Sequence, residues 1–504
     1  MDVGLQPEAA ALRFVLALRA VIIAVLALTA AGVADCSRGH ATAEQQAAAP
    51  SAAPPAPTTP PPPPAPPPIR ALTPTEAQAA LEALRAAPDQ GFSPRAFGDL
   101  PHITALIQSA DPIQRAEGGQ RLTRAVLAYA RAEHGFGIRR SQLPSAWGIE
   151  PPAYDAEADL RATLDQNRFA DWLKELPPSE PRYQALVEAL AAYRKMAAEG
   201  GEHGRRSKAD RDRPPPENAT APPGDDPGAS NLTDAVGESQ SRTGLQPAAD
   251  LDPDTAPDTV EAENMPVRAR IDHIRANLER WRWMPRDMPA TRIEVNIPSF
   301  TLDYYNGGEN AMHMLAAAGK VKDKTPMLIS TITDIELNPP WRIPADIARK
   351  EYFRRGRGYL AAHNIVRGPS RSAPLVQRAG PKSSLGRVKF EFDSNYGVYL
   401  HDTPTKSTFD TNERSVSHGC VRLQHAIDLA KLLLQTTPGW SPERVDEALT
   451  NFHTLTVRLA QPVPVMLVYW TVSAEGGETY FSGDPYGWDP ILVRLLDAPE
   501  PDHG

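Results

Sequence analysis

Apolar positions recur at helical spacing in the first half of this chain and at strand spacing in the second. After Thr73-Pro74-Thr75-Glu76, Leu81 and Leu84 follow at helical spacing. A capping hydroxyl with proline in the first turn is a helix start signal. Leu122, Val126, Leu127 and Tyr129 mark a second helix, residues 160–173 a third and residues 186–196 a fourth. Residues 267–283 place Ile271, Ile274, Leu278 and Trp281 at i, i+3, i+7 and i+10, one face of an amphipathic helix. Beyond Pro285 the period falls to two. Residues 292–297 and 300–305 alternate around Pro298-Ser299 and read as a hairpin, and Asn306-Gly307-Gly308-Glu309 is the next turn. Residues 327–337, 388–392 and 396–401 continue as strands, and a single helix follows at 424–435, with Ile427, Leu429, Leu432 and Leu433 apolar. The predicted fold is multidomain α+β: an N-terminal helical domain and a C-terminal β-rich domain.

The gaps in this pattern set the boundaries. Residues 1–36 carry Arg13 and Arg19 ahead of an uncharged run from 20 to 34, read as a signal peptide or an uncleaved membrane anchor. Residues 37–70 are rich in alanine and proline, with a tract at 60–68 that favours extended polyproline II. Residues 71–200 form the helical domain. Residues 201–262 are rich in Asp, Pro, Ser and Gly, hold few apolar residues, and read as a linker. Residues 263–500 form the β-rich domain, interrupted at about 340–385 by a polar, basic stretch read as a lid over a groove.

Composition sharpens this reading. The 53 prolines among 504 residues are clustered, which points to linkers between folded parts. A net charge of −9 argues against nucleic acid as the main partner. There are two cysteines, Cys36 and Cys420. With Cys36 removed or held at a membrane, an exported Cys420 has no partner and reads as a free reactive thiol.

Cys420 sits in Ser417-His418-Gly419-Cys420-Val421-Arg422-Leu423, downstream of Tyr399-Leu400-His401-Asp402-Thr403-Pro404. A thiolate attacks carbonyls, and an imidazole can take its proton. His418 is a neighbour on the same tight turn, whereas His401 approaches from another element, the usual arrangement for an oriented base. Gly419 permits a tight turn, and N–H groups around Gly419 and Cys420 could face an oxyanion. Arg422 could hold a substrate carboxylate. Two other readings stand beside thiol catalysis: a buried structural cysteine, and a zinc set of His401, His418, Cys420 and His425, whose spacing closes no usual zinc pattern.

These motifs resemble the signature of the YkuD-type L,D-transpeptidase catalytic domain. Asn338-Pro339-Pro340-Trp341 and Ser384-Leu385-Gly386-Arg387 are further matching stretches. Residues 267–469 are similar to large periplasmic members of Gram-negative bacteria, and the helical region resembles their scaffold domain. The resemblance implies that Cys420 takes an acyl group from the third residue of a peptidoglycan tetrapeptide stem, expels D-alanine and passes the acyl group to a neighbouring amine. It implies His401 as base, oriented by the backbone carbonyl of Asp402. It makes His418 and Gly419 supports of the loop and oxyanion site, and Ser417 and Arg422 substrate-binding residues. It implies no cofactor or metal, and a capping subdomain at 340–385. The implied partners are stem peptides, other cell-wall synthesis enzymes and, if residues 1–36 are uncleaved, the inner membrane; the implied location is the periplasm. One departure is the small wall-binding domain that large relatives carry, whose place is taken by 201–262. A catalytically inactive envelope scaffold remains the alternative, and the acceptor stays open among a stem amine, a protein lysine and water.

Overall fold

The computed structural model describes residues 67–200, 265–368 and 373–498. The leader, most of the proline-rich stretch and the segment in place of a wall-binding domain lie outside them. No helix among the described residues is long and apolar enough to cross a membrane.

The helical region opens with α1 (Pro74–Ala86). Its capping box is complete: the Thr73 N–H donates to Glu76 at 2.7 Å and the Glu76 N–H to the Thr73 hydroxyl at 3.3 Å. Then come α2 (Leu100–Ile107), capped by Asp99, and α3 (Pro112–Arg131), capped by Asp111. The apolar periodicity at Leu100 and Ile103 is too short to have declared α2. Gly118 lets α2 and α3 touch, since a Cβ there would lie 2.7 Å from the Ile107 nitrogen. The helix expected over 160–173 is two, α4 (Ala156–Asp165) and α5 (Phe169–Glu175), broken where Asn167 turns to φ 55°. The region closes with α6 (Pro181–Ala198).

The amphipathic stretch becomes α7 (Val267–Arg282), but it has no solvent face along most of its length. From Ile274 to Arg282 every residue is buried, charged ones included. One side meets the helical region, where Arg282 Nε pairs with Glu133 at 3.0 Å and Arg275 Nε donates to the Gly91 carbonyl at 2.8 Å. The other meets the C-terminal region, where Arg280 pairs with Asp489 and the Asn277 amide donates to Thr471 Oγ1 at 2.7 Å. Buried charges persist only when paired, so α7 fixes the two regions together. Arg182 adds a bidentate pair to Glu294 at 2.7 and 3.0 Å.

Beside a small hairpin of Val472–Glu475 and Glu478–Phe481, the β-rich region is built on a nine-stranded sheet that curls until it meets itself. Its strands are β1 (Arg292–Asn296), β2 (Thr301–Asn306), β3 (Glu309–Gly319), β4 (Leu328–Leu337), β8 (Val388–Phe392), β9 (Leu400–His401), β10 (Ser415–Ser417), β11 (Val421–Leu423) and β12 (Leu455–Val468). Their order is β10-β3-β11-β9-β8-β4-β12-β1-β2, and β2 also pairs with β3. The β1–β2 and β2–β3 hairpins fall where expected, with Gly307 and Gly308 at positive φ. The long β12 was not apparent in the sequence because Pro462 interrupts it. The proline falls in an irregularity between Arg458 and Val463, where the ladder to β4 is broken. Among the described residues three helices follow the motif rather than one: α9 (Ala426–Leu434), α10 (Pro442–Leu449) and α11 (Asp489–Leu496).

Between β4 and β8 the basic insertion folds on itself. Here β5 (Trp341–Arg342), β7 (Leu375–Gln377) and β6 (Ile365–Arg367) form a small sheet in that order. Two short helical turns, Ala345–Ile347 and Ala348–Tyr352, and α8 (Arg357–Ala362) complete it. Ile343, Ile347, Ala348, Ile365 and Leu375 give this cap its own small core.

Candidate active site

Sheet register assembles the site. β11 runs parallel to β9, pairing Val421 with Leu400 and Arg422 with His401. Side chains alternate across a sheet, so Leu400 and Val421 enter the core while His401 and Arg422 share the other face. On the opposite edge of β9, Lys389 of β8 pairs with His401, and Glu336 of β4 with Lys389. A polar row therefore crosses four strands. Tyr399 and Cys420 stand one position ahead of β9 and β11, where the Val421 N–H bonds the Tyr399 carbonyl at 3.1 Å. Nineteen residues of sequence separate His401 from Cys420; pairing of adjacent strands removes that distance.

The turn that presents Cys420 is braced from within. The Ser417 hydroxyl donates to the Cys420 carbonyl at 2.6 Å and accepts the Gly419 N–H at 3.1 Å. Two expectations change here. Ser417 is buried and spends its hydroxyl on the turn instead of facing a ligand. The Gly419 N–H is likewise occupied. The Cys420 N–H, by contrast, finds no acceptor among the described residues. Gly419 adopts φ 111°, and the nearest atom to an added Cβ is 3.5 Å away. Conformation, not space, demands glycine.

His401 is 5 % exposed, and its Nδ1 lies 2.6 Å from the Asp402 carbonyl. A carbonyl only accepts, so Nδ1 carries the proton and Nε2 keeps its lone pair. Burial, with Arg422 and Lys389 nearby, depresses the imidazole to about 3. Burial also pushes the Cys420 thiol up, opposed by the Tyr399 N–H and hydroxyl beside it and by the charges of Lys389 and Arg422. At rest near neutrality the two groups are thus a thiol and a neutral imidazole.

Asp402 contributes more than its carbonyl. Its buried carboxylate accepts the Arg387 N–H at 2.9 Å and pairs with Lys406 at 2.7 Å. Gly386 makes room for it, since an added Cβ would lie within 2.6 Å of Asp402 Cβ. Arg422 is half-buried and forms no ion pair among the described residues. His418 turns outward, with Nε2 2.8 Å from Glu351 Oε1 of the cap. His425 lies 3.6 Å from Asp428. The four residues weighed as a zinc set thus point to different partners. Among the described residues no group of three or more His, Cys, Asp and Glu could hold a metal.

Several supporting residues were invisible in the sequence. Thr325 donates to the Gly419 carbonyl at 2.8 Å and accepts the Gly319 N–H at 2.8 Å. Tyr486 donates to the Gly319 carbonyl at 2.7 Å and accepts the Thr325 N–H at 3.1 Å. These residues are remote from the motif along the chain, and no local pattern marks them. Lys389 gave a partial signal. In Val388-Lys389-Phe390-Glu391-Phe392 the alternation puts it on the polar face, but only the register aligns that face with His401.

Two regions of the chain match known domain families. Residues 290–445 match the family model of the L,D-transpeptidase catalytic domain, YkuD, and residues 71–190 that of the Scaffold domain. A Haemophilus influenzae protein provisionally named an L,D-transpeptidase is 30% identical over 217 residues, 39% of this chain and 44% of that protein. The probable L,D-transpeptidase YcfS of Escherichia coli K12 is 31% identical over 157 residues, 30% of this chain and 43% of its own length. The chain thus spans less than half the length of each of these relatives. A solved catalytic domain of the Enterococcus faecium L,D-transpeptidase, acylated by ertapenem, aligns with 36% of this chain and 99% of its own at 16% identity and a TM-score of 0.20.

Proposed function

We propose that this chain, which carries a YkuD-type L,D-transpeptidase catalytic domain beside a Scaffold domain, cross-links peptidoglycan stems through Cys420. The observation that carries this reading is the bare Nε2 of His401 on the sheet face that presents Cys420, its tautomer set by the Asp402 carbonyl. His401 Nε2 takes the thiol proton as Sγ attacks the carbonyl of the third residue of a tetrapeptide stem. The oxyanion accepts the Cys420 N–H. Its collapse breaks the peptide bond, and the departing D-alanine nitrogen receives the proton from His401. An amine of a neighbouring stem then attacks the thioester and loses its proton to His401; the C–S bond breaks and the thiol is restored. Arg422 binds a stem carboxylate in a charge-assisted pair.

Export to the periplasm, through the leader at 1–36, belongs to the same proposal. The test is mass spectrometry after incubation with a carbapenem. The expected result is one covalent adduct on wild type and none on Cys420→Ala; a folded wild-type protein that forms no adduct would overturn the assignment. Muropeptide analysis of cells with and without the protein then reads the acceptor. Loss of 3→3 cross-links supports a stem amine. Loss of a tripeptide product or of an anchored protein would replace it with water or a protein lysine.

A further inference from the structure

The cap carries a charge that the proposed chemistry does not use. Residues 341–385 hold ten Lys and Arg against two acidic residues, in a chain whose net charge is −9. No ion pair among the described residues neutralises Lys350, Arg354, Arg355 or Arg357, all of them exposed. One of the two carboxylates, Glu351, is turned to His418 at 2.8 Å. A solvated surface helix usually interleaves its charges with opposite ones, and this stretch does not. The cations also line a hollow. Lys350, Glu351, Tyr352, Arg354, Arg355 and Tyr359 surround a cavity of about 410 Å³, a size that suits a few residues of peptide. Arg355 lies over the Tyr359 ring at 5.0 Å, which holds its guanidinium in place.

We infer that this cavity binds the carboxylates of an acidic stem peptide, the one that supplies the attacking amine. The inference rests on the proposed transpeptidase reading, which it deepens. Glu351 belongs at once to the cavity wall and to the contact with His418, two residues from Cys420. A peptide anchored there is therefore delivered at the rim of the nucleophile's turn. The chemistry is complementary: Lys350, Arg354 and Arg355 meet carboxylates, the two tyrosines cover the peptide body, and Glu351 offers the one anion that an incoming amine would seek. An anionic membrane surface would also attract the cations, but it needs a flat face, and these residues wall a hollow.

The test uses full-length Cys420→Ala protein, so that binding is read without turnover, and an isolated tetrapeptide stem as probe. Replacing Lys350, Arg354 and Arg355 together by Gln should weaken stem binding about tenfold or more. Binding of a stem whose carboxylates are amidated should be weak and unaffected. In the Cys420-bearing protein the same triple change should raise KM for the acceptor, leave kcat within about twofold and leave the carbapenem acylation rate unaltered. Unchanged stem affinity would overturn the inference. So would equal losses for acidic and amidated stems, or a defect confined to sedimentation with phosphatidylglycerol vesicles. Cation-dependent stem binding in a protein that forms no carbapenem adduct would support the cap site while removing the proposed role of Cys420.

Discussion

Lys389 offers a quantitative test of the site's electrostatics. It lies on the strand beside His401, with its ammonium 4.5 Å from the centre of the Tyr399 ring, paired to Glu391 and 3.7 Å from Glu336. Its charge lowers both the Cys420 thiol and the His401 imidazole. Two strand spacings, about 10 Å, separate its strand from that of Cys420. At an effective dielectric of about 20 a unit charge at that distance is worth about 1.7 kcal/mol, or roughly one pKa unit. The carboxylate partners offset part of this field while Lys389 is present, and they stand unopposed once it is gone. Lys389→Met should therefore raise the Cys420 midpoint by about one unit and lift the imidazole from about 3 in the same direction. The assay is the pH dependence of iodoacetamide alkylation, followed by mass. Below the midpoint the thiolate fraction falls about tenfold; greater nucleophilicity of the more basic thiolate recovers about threefold, leaving a net loss of roughly three- to fourfold near neutrality. Glu391→Gln should move the midpoint the other way. An unmoved profile in folded Lys389→Met, or shifts of the same sign in both variants, would refute the argument.

His401→Gln keeps a polar side chain but has no base, so carbapenem acylation should fall about 10²- to 10⁴-fold with the melting temperature little changed; stopped-flow absorbance checks the first and calorimetry the second. Gly386→Ala must accommodate a Cβ against Asp402 at φ +61°, so a loss of about 1–3 kcal/mol in urea unfolding is expected, with slower acylation because the Asp402 carbonyl shifts. Arg282→Met strands Glu133 and Glu279 in the interior and should cost about 3–5 kcal/mol. Burial already raises Glu133, and an acid raised by folding loses stability as pH climbs from the unfolded carboxylate range through its raised folded value. The Arg282→Met loss should therefore be smaller at pH 5 than at pH 8 in chemical unfolding.

The fold was legible wherever one face of an element meets water. The β2–β3 hairpin, the strand at 327–337 and the helix at 424–435 show the expected period because each has a solvent side; β1 alternates as well, but its polar Arg292 and Glu294 are buried and paired with each other and with Arg182. The interior of α7 was not legible for the converse reason. Arg275, Arg280 and Arg282 carry the composition of an exposed face, but each is buried against a partner far along the chain: Asp497, Asp489 and Glu133. A sequence window cannot distinguish a charge in water from a charge paired inside, since only the tertiary neighbour differs. β12 was hidden by Pro462, which a central strand tolerates here because the ladder breaks around it.

The chemical groups of the site and the scaffold that arranges them stood on different footings. Cys420, His401 and Arg422 were readable as candidates because the proposed chemistry admits few residue types at each of their positions. Ser417 was readable as a member of the motif but not in its part: whether a hydroxyl faces a ligand or closes a turn depends on where the Cys420 carbonyl and the Gly419 N–H fall, and both fall on Ser417. Thr325 and Tyr486 lie 94 and 161 residues from their bonded partners Gly419 and Thr325, and other polar residues could fill such places in a different packing. Chemistry restricts identity, whereas support restricts only position. The residues that set the reactivity of Cys420 by field and contact, Lys389 and Tyr399, lie between these cases, because alternation places them on a face and only the parallel register of β9 and β11 shows which face holds the thiol.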